Sequence, residues 1–174
     1  MPEWHEHMQV HRQMENDLML RLKWTVHAHG RQIVLVKKPY EKHIHVLMKG
    51  FLWALYLPQY PNLTVKTPVN DRFKPDLVAL GEMSRPIFWG EARHISVEKI
   101  RSLIRRCRST HFAIAKWTTQ LGPFIKIVKD AMGGIAREGP VDLINFQENS
   151  GERFIEKSGH IQISHEQLEW IRLH

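Results

Sequence analysis

Apolar and polar residues alternate over residues 20–29, as they do in a strand that is buried on one face. Gly30 and Arg31 can form a tight turn into QIVLVKK, which is predicted to be the antiparallel partner strand. Over residues 40–57, apolar side chains then recur every three or four positions, which predicts a helix with one buried stripe. The chain is therefore predicted to start with a β-hairpin followed by a helix.

Two short apolar runs, residues 75–80 and 86–92, are joined by GEMSR and predict a second hairpin. Ser96 is placed to cap a helix over residues 97–109. The run HFAIAKW predicts a buried strand after it, which can lie parallel to an earlier strand because a helix connects them. Together these elements predict an α/β fold built on a mixed sheet.

The patterns in the last third of the chain are weaker. They predict a helix over residues 118–132, strands over residues 141–146, 152–157 and 160–164, and a short helix from Ser164 to Trp170. No repeat or composition shift marks a boundary, so residues 20–174 are predicted to form a single domain, with residues 1–19 as an N-terminal extension.

Composition narrows the classes of protein. Lys and Arg number 25 against 18 Asp and Glu, a net charge of +7 that favours phosphate-bearing partners such as nucleic acid. The single cysteine, Cys107, excludes an intrachain disulfide. No signal peptide or long apolar stretch is visible, so we expect a cytoplasmic protein without a membrane partner.

Two acids mark a candidate site in the second hairpin. Asp76 opens its first strand and Glu91 closes its second. Adjacent strands lie about 4.8 Å apart, so both carboxylates are expected at the same edge of the sheet. Converging carboxylates suit Mg²⁺ or Mn²⁺, which can promote phosphodiester cleavage. The backbone carbonyl of Ala92 is a candidate further ligand, and Arg93 is expected to project to the same side.

The order helix, strand, strand, helix, strand, with aspartate opening the first of these strands and glutamate closing the second, resembles the PD-(D/E)XK nuclease superfamily. Within it, PYEKHIHVLMKGFLWAL, KPDLVAL and IFWGEARHISVEKIR are most similar to the YaeQ family. The resemblance runs from about residue 20 to the end of the chain. It implies a restriction-endonuclease-like mixed central β-sheet flanked by helices, with an N-terminal β-hairpin, and a metal-dependent nuclease activity.

Residue by residue, the resemblance implies that Asp76 and Glu91 hold the metal and that Glu41 is an additional acid near the first helix. Arg93 stands where the superfamily motif has lysine. Arginine keeps the charge and the grip on phosphate, but it cannot act as a base at useful pH. The site is therefore interpreted as a degenerate nuclease site in which Arg93 holds the phosphate.

Other basic residues can replace the motif lysine or bind nucleic acid. Lys74, Lys99 and Lys116 are candidates for the displaced lysine. Arg101, Arg105 and Arg108 recur at helical spacing in the predicted helix, and with Lys99 and Lys116 they form a candidate surface for nucleic acid, DNA above all. The alternative interpretation is an ordinary solvated basic face.

Two other functions remain open. The first is a non-catalytic nucleic-acid-binding or protein-interaction module on the same fold, in which Asp76 and Glu91 are structural. The second is a zinc-dependent enzyme, because His27 and His29 would share one face of a strand and could chelate zinc.

Overall fold

A computed structural model describes residues 22–65 and 67–174, so the predicted extension over residues 1–19 lies outside the described residues. The helices and strands, in chain order, are β1 (Lys23–Ala28), β2 (Arg31–Val36), α1 (His43–Tyr56), β3 (Thr64–Val65), β4 (Leu77–Leu80), β5 (Pro86–Glu91), α2 (Val97–Arg106), β6 (His111–Trp117), α3 (Gly122–Met132), β7 (Val141–Phe146), α4 (Ser150–Phe154) and β8 (Glu169–Leu173). Single 3₁₀ turns occupy Glu82–Ser84 and His165–Gln167.

A six-stranded mixed sheet carries the fold, in the order β3-β4-β5-β6-β7-β8. The pairs β5–β6 and β6–β7 are parallel, and the remaining pairs in this sheet are antiparallel. Helices α2 and α3 provide the crossovers that the parallel pairs require. Strands β1 and β2 form a separate antiparallel hairpin. The predicted mixed α/β sheet with an N-terminal hairpin is confirmed.

Helices cover both faces of the sheet. Because neighbouring residues along a strand point to opposite sides, one strand can contribute to two cores. On one face, Phe88 of β5 belongs to the core that contains α1 and the β1–β2 hairpin. On the other, Trp89 belongs to the core that contains α2 and α3. None of the helices in the described part of the chain is long and apolar enough to cross a membrane.

Helix α2 begins as predicted and ends earlier. The Ser96 hydroxyl accepts a hydrogen bond from the Lys99 backbone N–H at 3.1 Å, which caps the first turn. The helix ends at Arg106, because Cys107 leaves the helical region with φ −104° and ψ 66°. The prediction that Arg108 continues the helical arginine stripe is therefore wrong, and Arg108 lies in the turn that follows.

The predictions for the C-terminal region are mostly wrong. Residues 152–157 and 160–164 are not strands: α4 covers part of the first segment, and only isolated bridges join Ile155 to Ile161 and His160 to His27. The Ser164 backbone N–H donates to Gln167 Oε1 at 2.9 Å, but the chain continues as a single 3₁₀ turn and not as the predicted helix. The following residues form β8, because pairing with β7 outweighs their local pattern.

Candidate functional site

Asp76 and Glu91 face each other where β4 meets β5. Leu77 pairs with Gly90, and the two strands run antiparallel. The residue before Leu77, Asp76, therefore lies opposite the residue after Gly90, Glu91, on one face of the sheet. The Asp76 backbone N–H donates to the Gly90 carbonyl at 3.1 Å. Asp76 is 4% exposed and Glu91 is 3% exposed. The structure brings the two predicted acids together, nearly buried, where β4 begins and β5 ends.

The Asp76 carboxylate is held by the two residues after Glu91. Its Oδ2 accepts the Ala92 backbone N–H at 2.9 Å, and its Oδ1 accepts Arg93 Nε at 3.1 Å. A second guanidinium nitrogen of Arg93 lies 3.0 Å from the same Oδ1. Arg93 therefore reaches the site as expected. The contact from Ala92 runs through its N–H, and a ligand role for its carbonyl stays a prediction.

Glu91 is held by a lysine from a different element. Its Oε1 accepts Trp89 Nε1 at 2.7 Å and lies 2.6 Å from Lys99 Nζ, in the first turn of α2. Burial raises the pKa of Glu91, and the nearby charge of Asp76 raises it further. The hydrogen bonds and positive charge that Lys99 and Trp89 supply only partly offset this rise in pKa. Glu91 is thus a buried carboxylate that is more basic than usual.

Glu41 lies just before α1, beside the same site. The Lys49 ammonium is paired with its Oε1, and the Lys38 backbone N–H donates to its Oε2 at 3.1 Å. Burial raises the pKa of Glu41, but these two hydrogen bonds and the positive charge of Lys49 together leave that pKa below its usual value. The charge of Arg93 also contributes to lowering it, which places Glu41 within electrostatic range of Arg93.

Of the candidate lysines, Lys99 and Lys116 have different surroundings. Ile114 pairs with Glu91, so Lys116, two residues further along β6, lies on the same face of the sheet. Its ammonium lies 4.0 Å from the centre of the Phe124 ring, a cation–π contact. Burial lowers the pKa of Lys116. Lys99 contacts Glu91 directly, whereas the backbone carbonyl of Lys74 accepts a hydrogen bond from Lys99 Nζ at 3.3 Å.

Arg101, Arg105 and Arg108 are all exposed, in or just after α2. Arg106, which was not predicted to be functional, is instead paired with Asp71, with nitrogen–oxygen distances of 2.8 and 3.2 Å. Lys99, in the first turn of α2, contacts Glu91, whereas Arg105 and Arg108 lie at or just beyond the other end of the helix.

The donor set bears on which metal these residues can hold. The described ranges, 22–65 and 67–174, contain no group of three or more His, Cys, Asp or Glu side chains close enough to share an ion. His29 Nε2 instead lies 2.9 Å from the Ala54 carbonyl oxygen. A closed zinc site needs more protein ligands than this. Mg²⁺, in contrast, often binds one or two carboxylates together with water and substrate phosphate, so Asp76 and Glu91 fit it.

A second buried cluster was missed from the sequence. Asp142 Oδ2 accepts hydrogen bonds from the Tyr56 hydroxyl at 2.6 Å and from His111 Nε2 at 2.7 Å. Arg172 donates to both carboxylate oxygens, at 2.7 and 2.9 Å. Burial raises the pKa of Asp142, but the hydrogen bonds from Arg172, His111 and Tyr56 outweigh burial and hold that pKa well below its usual range. The only signal in the sequence was a charged residue inside the apolar run VDLINF.

The fold and the facing pair Asp76 and Glu91 define an α/β protein with a mixed sheet and a paired-carboxylate site. A scan against protein-family models and a search of curated protein sequences found no match. Among solved structures, the chain is similar to the YaeQ protein from Xanthomonas axonopodis pv. citri, with 16% identity, a TM-score of 0.53, and coverage of 82% of this chain and 81% of that one. It is also similar to the YaeQ protein from Pseudomonas syringae, with 14% identity, a TM-score of 0.53, and coverage of 73% and 71%. The predicted YaeQ-like fold is confirmed.

Proposed function

We propose that this chain is a nuclease of the PD-(D/E)XK type that depends on Mg²⁺ or Mn²⁺, with Asp76 and Glu91 as the metal ligands. One observation carries the proposal: two buried carboxylates lie opposite each other where strands β4 and β5 meet, with the Lys99 ammonium 2.6 Å from Glu91. Burying two carboxylates side by side is costly, and a buried carboxylate with a raised pKa, as Glu91 has, is typical of functional sites.

In this proposal Lys99 takes the part of the missing motif lysine. Lys99 reaches Glu91 from helix α2, whereas the motif lysine would stand directly after the Glu-x pair, where this chain has Arg93. Arg93 holds Asp76 and, because its side chain is 46% exposed, its planar guanidinium can also reach the oxygens of a substrate phosphate.

A bound Mg²⁺ would polarise the scissile phosphate and lower the pKa of the attacking water. The chain's own residues supply the rest. Lys99 places a positive charge beside Glu91, where negative charge develops during phosphodiester cleavage. Glu41, within electrostatic range of Arg93, would contribute through water or a second metal ion.

The test is cleavage of plasmid, single-stranded DNA and RNA in Mg²⁺ or Mn²⁺. We expect Asp76→Asn and Glu91→Gln each to lose at least about 100-fold in rate, since each removes a charged ligand with little change in shape. Asp71→Asn is the matched control, because Asp71 is also held by an arginine, at 2.8 Å, but lies outside the site. Cleavage that survives both site substitutions would falsify the proposal.

A second candidate is a non-catalytic nucleic-acid-binding or protein-interaction module on the same fold. The observation that favours it is that each acid already has its own basic partner: Asp76 with Arg93, Glu91 with Lys99, and Glu41 with Lys49. For a nucleic-acid-binding module, the same experiment would give binding that weakens steeply with salt, and no cleavage in either metal.

A further inference from the structure

The second buried cluster contains a hydrogen-bonded series that ends at a half-buried tyrosine. The Tyr60 hydroxyl lies 2.8 Å from His111 Nδ1, and the other ring nitrogen of His111 lies 2.7 Å from Asp142 Oδ2. The Tyr60 ring also packs on Phe88, with 4.8 Å between ring centres. This series lies on the Phe88 face of the sheet, whereas Glu91 lies on the Trp89 face. It is therefore separate from the acidic site.

The surroundings of Asp142 fix the direction of these hydrogen bonds. Asp142 is fully buried and receives two N–H groups from Arg172, which keep it ionised, so its oxygens only accept. His111 Nε2 must then carry the proton that it shares with Asp142. In the neutral ring, Nδ1 is left with a lone pair, and the Tyr60 hydroxyl donates to it.

We propose that Tyr60 is a histidine-activated nucleophile and a site that accepts acyl groups from activated esters. A hydroxyl bonded to a base, with the base oriented by a buried carboxylate, is the arrangement that activates nucleophiles in covalent catalysis. Tyr60 Oη forms a bond to the acyl carbon while its proton moves to His111 Nδ1. The bond from the acyl carbon to the leaving aryloxide then breaks, and the aryloxide takes that proton from His111.

The chain supplies its own control. It contains three tyrosines, of which Tyr40 is fully exposed and Tyr56 is 1% exposed, with its hydroxyl committed to Asp142. Burial and the charge of Asp142 raise the pKa of Tyr60. If reactivity followed phenolate population and access alone, Tyr60 would therefore react more slowly than Tyr40. If Tyr60 instead reacts faster than Tyr40, the extra reactivity is assigned to transfer of the Tyr60 proton to His111.

The test is acetylation of the full chain by p-nitrophenyl acetate at pH 8, followed over time by mass spectrometry that resolves each tyrosine. We expect Tyr60 to be acetylated at least about tenfold faster than Tyr40, since a positioned general base typically gives more than that. A Tyr60 rate equal to or below that of Tyr40 in the wild-type chain would overturn the proposal, and this comparison needs no variant to fold.

Two variants assign the effect. His111→Gln should bring the Tyr60 rate down to that of Tyr40 or below, with circular dichroism used to verify that the variant is folded. Acetylation of Tyr60 should appear as a fast phase of nitrophenolate release. Tyr60→Phe should remove this fast phase, whereas Tyr40→Phe should retain it. A fast phase that persists in folded His111→Gln would contradict the role of the imidazole.

Discussion

Glu91 and Asp142 are both buried carboxylates, yet their pKa values are shifted in opposite directions. For Glu91, burial raises the pKa and the hydrogen bonds and charge from Trp89 and Lys99 do not compensate. For Asp142, the hydrogen bonds from Arg172, His111 and Tyr56 more than compensate for burial and lower the pKa. The number and charge of the donors therefore decide which acid stabilises the fold and which acid costs stability when ionised.

Glu91→Gln should remove a pH dependence of stability. Because the folded-state pKa of Glu91 is raised, the folded protein binds this proton more tightly than the unfolded chain. The contribution of protonated Glu91 to the stability of the fold is therefore present at low pH. It is lost as pH rises from the ordinary pKa of 4.5 through the folded-state pKa. We expect Glu91→Gln to melt at or above the wild-type temperature at pH 7 and to lack this decrease.

The measurement is the melting temperature of both proteins between pH 4 and pH 8. Glu98→Gln is the control, because Glu98 is 80% exposed and should follow the wild-type curve. A Glu91→Gln curve that lies well below wild type at pH 7 would show that the Lys99 ion pair stabilises the fold after all.

Substitution of the two basic residues at the acidic site separates their roles. If Lys99 replaces the motif lysine, Lys99→Ala should lose at least about 100-fold in cleavage rate, a typical contribution of one such group. Arg93→Lys should stay within about tenfold of wild type, because lysine keeps the charge but loses the planar fork. Steady-state cleavage of a labelled oligonucleotide measures both. The opposite ranking would assign the motif role to Arg93.

At the level of elements, Asp142 ties the end of α1 to three strands of the sheet. Tyr56 ends α1, His111 begins β6, Asp142 lies in β7, and Arg172 lies in β8. One carboxylate thus satisfies donors from elements that are far apart in sequence. Buried charge networks of this kind are costly to break, since the remaining partners keep their desolvation penalty.

Asp142→Asn should therefore lower the free energy of unfolding by about 3–5 kcal/mol at pH 7. Because the pKa of Asp142 is lowered, its contribution is full above the ordinary value of 3.8 and is lost as pH falls below it. Urea unfolding at pH 7 and pH 3 should show the gap between wild type and variant shrinking at acid pH. Asp130→Asn, at a 67% exposed surface pair, should change stability little at either pH.

The sequence was informative where local pattern decides the structure. Strands β6 and β7 were predicted at their observed bounds, because each is an apolar run between breaking residues. The placement of Asp76 opposite Glu91 was also predictable, since a hairpin fixes which residues face each other. Strand β8 was not predictable, because Arg172 pairs with Asp142 only once the sheet has formed.

The same reason explains which parts of the sites were missed. Lys99 was one of three candidate lysines, and only the packing of α2 on the sheet selects it as the partner of Glu91. Tyr56 and Asp142 are 86 residues apart in sequence, with no spacing rule that relates them. Side chains contributed by separate elements become a site only through tertiary structure.

For the molecule as a whole, binding to nucleic acid should depend on where the excess basic residues lie as well as on their number. A net charge of +7 would attract any polyanion, whichever face of the molecule it approaches. If the proposed function is right, the exposed arginines of α2 must do more, because they lie on the helix that brings Lys99 to Glu91. They should contact backbone phosphates, which strengthens binding without selecting sequence.

A charge-matched comparison tests this distribution. The double variant Arg101→Ala/Arg105→Ala should lower the slope of log affinity against log salt concentration by about 2, because each arginine that no longer binds a phosphate lowers it by about one. Arg153→Ala/Lys157→Ala removes the same charge from exposed positions on another part of the chain and should leave the slope near wild type. Fluorescence anisotropy with a labelled oligonucleotide in metal-free buffer measures the slopes without cleavage. If both double variants lower the slope equally, binding follows net charge alone and α2 is not the surface that meets the phosphates.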